Sequence, residues 1–306
     1  MANLKQLKLK RQSVDKTRKV TRAMEAVSAV KMRKSQELAL SGRSFALVAL
    51  RILNAIASDW DSVKHPLVAS KNDGARGLLL VTSDKGLAGS LNSAVLKKAQ
   101  VFLDEHANDK IVAIAIGRRA KEFLRARSVD ILLEMDNNKD AVDLSDTEKI
   151  SEIISRAQTN SETSTWTVAY MNFVSTFEQN PVLRQILPLE KAELENLAFE
   201  IAPTKGKFSD EAVKQEDIKR RSYLIEADSE SILNDLIFEL LNIFVHHTLL
   251  ESKASEHSAR MVAMKAATDK AGEMSHELLL KFNKARQAAI TREVSEITSG
   301  VEAMKE

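Results

Sequence analysis

The chain has 306 residues, 29% of them charged and 5% aromatic, with a net charge of +2 and no cysteine. The missing cysteines exclude disulfides, thiolate metal sites and cysteine nucleophiles. No run of eighteen apolar residues occurs, so no membrane-spanning helix is expected.

The first predicted element is a helix over residues 4–58. Leu7, Val14, Thr21 and Ser28 lie seven apart, and Val20, Met24 and Val27 follow a four-then-three spacing beside them. Farther on, Phe45, Val48, Ile52 and Ile56 continue an apolar face. Such a narrow seam suits one helix lying along another. Gly42 is its weak point and a candidate bend. Residues 1–34 hold eleven Lys or Arg against only Asp15 and Glu25. The basic, acid-poor start would suit a transit peptide, but its pattern runs unbroken into the longer helix, so we read it as helix. Without aromatic interleaving or a familiar module, it is not read as a nucleic-acid site. A solvated face, or one lying against an acidic protein, fits better.

The middle of the chain changes character. The short apolar runs Arg76–Asp84, Lys110–Gly117 and Thr165–Phe173 read as strands, and Leu91–Glu105 and Arg118–Arg127 as helices between them. Near-continuous apolar strands alternating with helices predict a parallel α/β sheet. Leu197–Pro203 would add an edge strand, and Thr204–Arg221 reads as a charged loop. Residues 136–164 are polar and suggest no role. SDKGLAGSLN (Ser83–Asn92) follows a strand and opens a helix, where α/β folds hold phosphates. It lacks the spacing of either nucleotide-binding glycine loop, so it reads as a tight turn that uses Gly86 and Gly89.

The last predicted element is a long helix from Asp228 or Ser229 to the end. All four prolines (Pro66, Pro181, Pro188 and Pro203) precede it, and it contains only Gly272 and Gly300. At 1.5 Å per residue it would run about 110 Å. Ile232, Leu236, Leu240, Ile243 and Phe244 form an apolar face; Met261, Met264, Ala271, Leu278, Phe282 and Ala285 continue it. Ile290, Val294, Ile297, Val301 and Met304 then alternate four and three, which is a heptad seam. The two proline-free ends are therefore expected to pair antiparallel. The fold class is α/β plus a long α-helical coiled coil, with a Rossmann-like domain inserted between the two terminal helices. The expected division is 1–60, 75–215 and 220–306. The six histidines include the adjacent pair His246 and His247, a poor metal pair, and the carboxylates are scattered over helix faces. Neither set argues for catalysis, metal or cofactor.

Four stretches then become specific. The end from Ala259, ARMVAMKAATDKAGE with FNKARQAAITREVSEITSG, resembles the C-terminal signature of the gamma subunit of F-type ATP synthase. Ser13–Gln36 resembles that family's first helix, Ser83–Asn92 its central strand-turn motif, and Ser222–Asp228 the opening of its last helix. The chain departs from the family's usual motif at Lys85, Ala88 and Ser90. The resemblance implies a rotor shaft inside a hexamer of alpha and beta subunits, with catalysis on beta and no cofactor on this chain. It implies contacts with epsilon and the ring of c subunits, and a peripheral place on the cytoplasmic face of a bacterial plasma membrane, reached only through the complex. It marks Met24, Arg260, Arg286, Gln287, Thr291 and Glu293 for the alpha/beta hexamer, and Tyr223 and Glu226 for the c-ring and epsilon. The rival readings are a static coiled-coil scaffold with a ligand-sensing α/β insert, and an α/β enzyme with helical extensions.

Overall fold

The computed structural model describes residues 2–56, 65–68, 73–189 and 229–304. In chain order the elements are α1 (Ala2–Ile56), β1 (Ala75–Val81), α2 (Leu91–Glu105), β2 (Ile111–Ile116), α3 (Arg118–Arg125), β3 (Asp130–Met135), α4 (Leu144–Thr159), β4 (Thr163–Phe173), β5 (Gln179–Leu187) and α5 (Ser229–Ala303). Two compact units form, Met1–Ser28 with Arg260–Glu306, and Ala29–Ala259. The expected strand at Leu197–Pro203 and loop at Thr204–Arg221 lie outside the described residues, as do the side chains of Phe45, Val48, Ile52, Ile56 and Ile232.

In the larger unit the five strands lie in the order β3-β2-β1-β4-β5. The pairs β1–β2, β1–β4 and β2–β3 are parallel, and β4–β5 is antiparallel. The sheet is thus mixed rather than all parallel, because β5 returns from β4 as a hairpin and needs no crossover. Alternate residues of the inner strands serve opposite faces. Leu78 and Leu80 of β1 join Val95, Ala99, Phe102 and Leu103 of α2 and Ala120 and Leu124 of α3 in one core. Leu79 and Val81 join Ile150 and Ile154 of α4 and Ile237, Leu240, Leu241, Phe244, Val245 and Leu249 of α5 in the other. The first half of α5 is therefore a layer of the α/β sandwich. Its apolar face follows the 3.6-residue period, and each fully buried Leu or Phe contributes about 1.5–3 kcal/mol.

In the smaller unit the two helix segments run antiparallel. Thr268 Oγ1 donates to Thr21 Oγ1 at 2.7 Å, and Ser275 Oγ donates to Asp15 Oδ1 at 2.7 Å. Moving forward along α5 from one contact to the next moves backward along α1. Thr21 and Ser28 are buried, with Leu7 and Val14 half-buried, so the sevenfold row faces inward as its spacing predicts. Val20 and Val27, beside it, are exposed. On α5 Met264, Ala271, Ser275 and Leu278 are buried. The expected seam beyond Ala285 behaves differently. Ile290, Val294, Ile297, Val301 and Met304 are all more than half exposed. The register explains this: thirteen residues back from Asp15 is Ala2, and thirteen forward from Ser275 is Ala288. Past that point no described turn of α1 lies opposite. Helix α1 continues without a break through Gly42.

Candidate functional site

In a doubly wound sheet, ligands bind beyond the carboxyl ends of the strands where the strand order reverses. Here that point lies between β1 and β4; beside it, the chain ties the ends of β1, β2 and β3 together with its own groups. Thr82 Oγ1 donates to Ile116 O at 3.1 Å and accepts from Ala120 N at 2.9 Å. The Asp84 carboxylate accepts from the backbone N–H of Arg118 and, at 2.6 Å, from that of Asn137. An α-helix N-terminus attracts an anion because its first N–H groups lack partners; at α3 that anion is Asp84. Ser83 N donates to Asn92 Oδ1 at 3.0 Å, tying the same turn to α2. The SDKGLAGSLN motif thus locks three elements together. Its left-handed positions are Leu87 and Gly89, and Gly86 does not share them as expected.

Helix α5 packs against the end of β4. Ser255 Oγ donates to Met171 O at 3.0 Å, and Ser258 Oγ donates to Thr176 O. Glu251, Ser252, Lys253, Ser255, Glu256, His257 and Ser258 are all buried, so the helix is enclosed on every side here. Buried charge needs pairing. Lys253 Nζ donates to Asn137 O at 2.8 Å and lies 3.3 Å from Glu256 Oε2. Burial pushes the Lys253 pKa down, against the pull of Glu256. His247 Nε2 stands 3.3 Å from Glu251 Oε1. Burial would raise the Glu251 pKa, but His247, Tyr170 and Arg184 outweigh it and hold the carboxyl below its ordinary value. The polar run SKASEHS carries no apolar period, so spacing gives no sign of this burial. The visible signal is its small residues, Ser252, Ala254, Ser255 and Ser258, which permit close approach.

The residues marked for partners fall into distinct settings. Met24 is half-buried on α1, and Arg260 is only 6% exposed on α5. Arg286, Gln287, Thr291 and Glu293 are exposed together near the end of α5. Gln287 and Thr291 are four apart and Arg286 and Glu293 seven apart, so each pair shares a side of the helix. They flank Ile290 and Val294 of the exposed apolar row. Tyr223 and Glu226 lie outside the described residues. Among the described residues no group of three or more His, Asp or Glu is placed to hold a metal ion.

A family model described as ATP synthase matches residues 3–304. The chain is 35% identical to the ATP synthase gamma chain of Cupriavidus metallidurans and 36% identical to that of Paraburkholderia phymatum, in each case over 99% of this chain and all of the relative. Among solved structures, a chain of the Euglena gracilis mitochondrial ATP synthase (OSCP/F1/c-ring, rotational state 3) matches with a TM-score of 0.63 at 17% identity, over 99% of this chain and 95% of that one. A chain of the Tetrahymena thermophila mitochondrial ATP synthase central stalk and c-ring matches with a TM-score of 0.55 at 22% identity, over 81% and 99%. These structures share the fold. The chain, matched from end to end, belongs to the ATP synthase gamma chain family.

Proposed function

We propose that this chain is the central rotor shaft of an F-type ATP synthase, coupling proton-driven rotation of a membrane c-ring to ATP synthesis, or the reverse. The observation that carries this reading is the full-length match to gamma chains. The exposed end of α5 supports it, because a row of apolar and polar side chains left without a helix partner suits an enclosing collar. The collar would be the hexamer of alpha and beta subunits, touched through Met24, Arg260, Arg286, Gln287, Thr291 and Glu293. Tyr223 and Glu226 would face the c-ring and epsilon. Catalysis would lie on beta and not on this chain. The strand ends tied together by Asp84, with α5 packed at the end of β4, favour this over an enzyme or a ligand-sensing scaffold. The parts 1–60, 75–215 and 220–306 would serve as first shaft helix, outer domain and second shaft helix.

Each elementary charge crossing the membrane delivers about 2.3 kcal/mol per 100 mV. Several such steps must be stored in the rotor for each ATP. Strong contacts at every angle would trap it. Exposed ion pairs of about 0–1 kcal/mol would not, which suits the charged surface of these helices. No described helix is long and apolar enough to cross a membrane, so the place at the cytoplasmic face of the inner membrane would be peripheral, through the complex.

The test is reconstitution with alpha and beta subunits from the same source, followed by a native mass measurement. One copy of this chain with three alpha and three beta is expected. A chain that stays alone while alpha and beta assemble with another gamma chain would overturn the reading.

A further inference from the structure

We infer that the loop between β3 and α4, residues 136–140, is a clasp that fixes α1 and α5 to the sheet, with Asp140 and Lys253 as positioning residues for turning force passing between them. The inference rests on the rotor reading. It starts from a concentration of bonds in five residues. Asn137 N donates to Asp84 Oδ2 at 2.6 Å, and Asn137 Nδ2 donates to Thr82 O at 2.7 Å. Asn137 O accepts from Lys253 Nζ of α5 at 2.8 Å. Asp140 accepts from Lys31 Nζ of α1 at 2.7 Å through one oxygen and from Lys85 Nζ at 3.0 Å through the other. Asp136 pairs with Lys121 of α3 at 2.6 Å, and Lys139 pairs with Asp146 of α4 at 2.9 Å. One short loop thus touches both long helices, the end of β1, α3 and α4.

The bonds differ in kind. The Asp140 pairs are about half exposed, so water and salt weaken them. The Lys253 side chain is buried, and its bond to Asn137 is part-buried. Its nitrogen points to a backbone carbonyl whose own residue is anchored twice to the end of β1. A lysine driven into a buried site at the cost of its hydration is poorly explained by stability alone. A bond between a helix side chain and a loop backbone resists sliding along the helix axis and rotation about it, which apolar packing resists less directionally. The outer ion pairs add the second helix to the same loop.

The experiment uses the full chain and the assembled enzyme. Asp140→Ala changes an exposed residue and is expected to fold. Lys253→Met keeps the stem and removes the charge. In each variant, amide exchange over 136–143 is expected to rise about threefold. ATP-driven proton pumping per ATP hydrolysed is expected to fall about two- to threefold, with the hydrolysis rate retained. The chain has no cysteine, so Lys31→Cys with Asp140→Cys can be bridged by a short bis-maleimide. Bridging is expected to restore the pumping ratio, and capping with a monofunctional maleimide is not. An unchanged ratio in both single variants, or a loss that bridging leaves in place, would overturn the clasp. If the unmodified chain does not join alpha and beta, the rotor reading fails instead, and the exchange measurement still tests whether the loop holds the helices.

Discussion

The hydroxyls of Thr21 and Thr268 meet at 2.7 Å, one on each helix of the smaller unit. Each also lies within reach of a carbonyl on its own helix, Arg18 O at 3.1 Å and Met264 O at 2.8 Å. Every hydroxyl proton therefore has an acceptor whichever way the pair is oriented. Thr21→Val or Thr268→Val alone removes the bond across the seam, leaves the other hydroxyl only its own-helix carbonyl, and is expected to cost about 1 kcal/mol. The double variant replaces both partners with apolar groups of the same shape and is expected to cost less than the sum. A double-mutant cycle on denaturant unfolding checks this; additive losses would show that the two hydroxyls do not act as a pair.

Gly272 sits inside α5 opposite Arg18. A Cβ added there would meet Arg18 Cδ at 3.8 Å, an ordinary contact, and the backbone is helical. The glycine is not required by space, and it costs the helix conformational entropy. Gly272→Ala is expected to stabilise the chain by about 0.5–1 kcal/mol. A rise in the unfolding midpoint without a change in slope is the expected reading. A fall would mean that the helices approach more closely than the geometry shows.

Gly117 is the opposite case. It precedes α3 at φ +89, and an added Cβ would lie 2.3 Å from Thr82 O. That carbonyl is fixed by the Asn137 side chain, and Thr82 Oγ1 caps α3. Gly117→Ala must both adopt a disfavoured backbone and displace a bonded strand end. It is expected to cost about 3 kcal/mol or more, read as loss of the cooperative unfolding transition or a much lower midpoint. Asp84→Ala removes the acceptor of both the Arg118 and the Asn137 N–H groups and is expected to cost about 1–2 kcal/mol.

These contrasts show how much the sequence carries. Helix α2 is legible to the residue, because Leu91, Val95, Ala99 and Phe102 keep a helical period. The inner strands are legible because both faces are covered and their runs are apolar throughout. Strand β3 escapes notice because it lies at the edge and mixes Asp130 and Glu134 with Ile131, Leu133 and Met135. Strand β5 holds Pro181, which argues against a strand except at an edge, where it lies. Helix α4 hides in a polar stretch because half of its buried residues, Thr147, Ser151 and Gln158, are polar, against Ile150, Ile154 and Ala157. The buried charges Glu251, Lys253 and Glu256 look like surface residues in sequence. They become interior only when the sheet and hairpin close around α5, which no local pattern encodes.

Acidification should weaken the larger unit in two steps. Burial, with the neighbouring His247, lowers the His246 pKa below its ordinary 6.5. The unfolded chain therefore holds more protons there below about pH 6.5, and stability falls as pH drops through that range. The Glu251 carboxyl is likewise held below its ordinary 4.5. Its contribution is present above that pH and is lost as pH falls toward its folded value. Each group can tilt stability by at most about 1.4 kcal/mol per pH unit. Denaturant midpoints are expected to drop between pH 7 and 5 and again below pH 4.5. The His65 pKa is likewise lowered by burial, so His65 shares the first step. His246→Gln should shrink that step and leave the second, and His246→Gln with His65→Gln should flatten it, whereas a step unchanged in both would assign it to another group.

Gln287 and Thr291 test the exposed end of α5 directly. Both are exposed, four residues apart, past or near the point where α1 ceases to lie opposite. Replacing them with alanine removes two polar side chains and raises helix propensity, so the isolated chain should keep its helicity. Surface changes of this kind usually alter stability by no more than about 0.5 kcal/mol. Any large effect in the assembled enzyme must then come from contacts that the chain alone does not make. Gln287→Ala with Thr291→Ala is expected to lower rotary output in a single-molecule rotation assay while circular dichroism and the unfolding midpoint stay within error. Met24→Lys, at a half-buried position on α1, should weaken ATP-driven proton pumping in the same way by placing a charge at a packed contact. Full rotary output in the first variant together with unchanged pumping in the second would remove this face of the helices from the coupling surface.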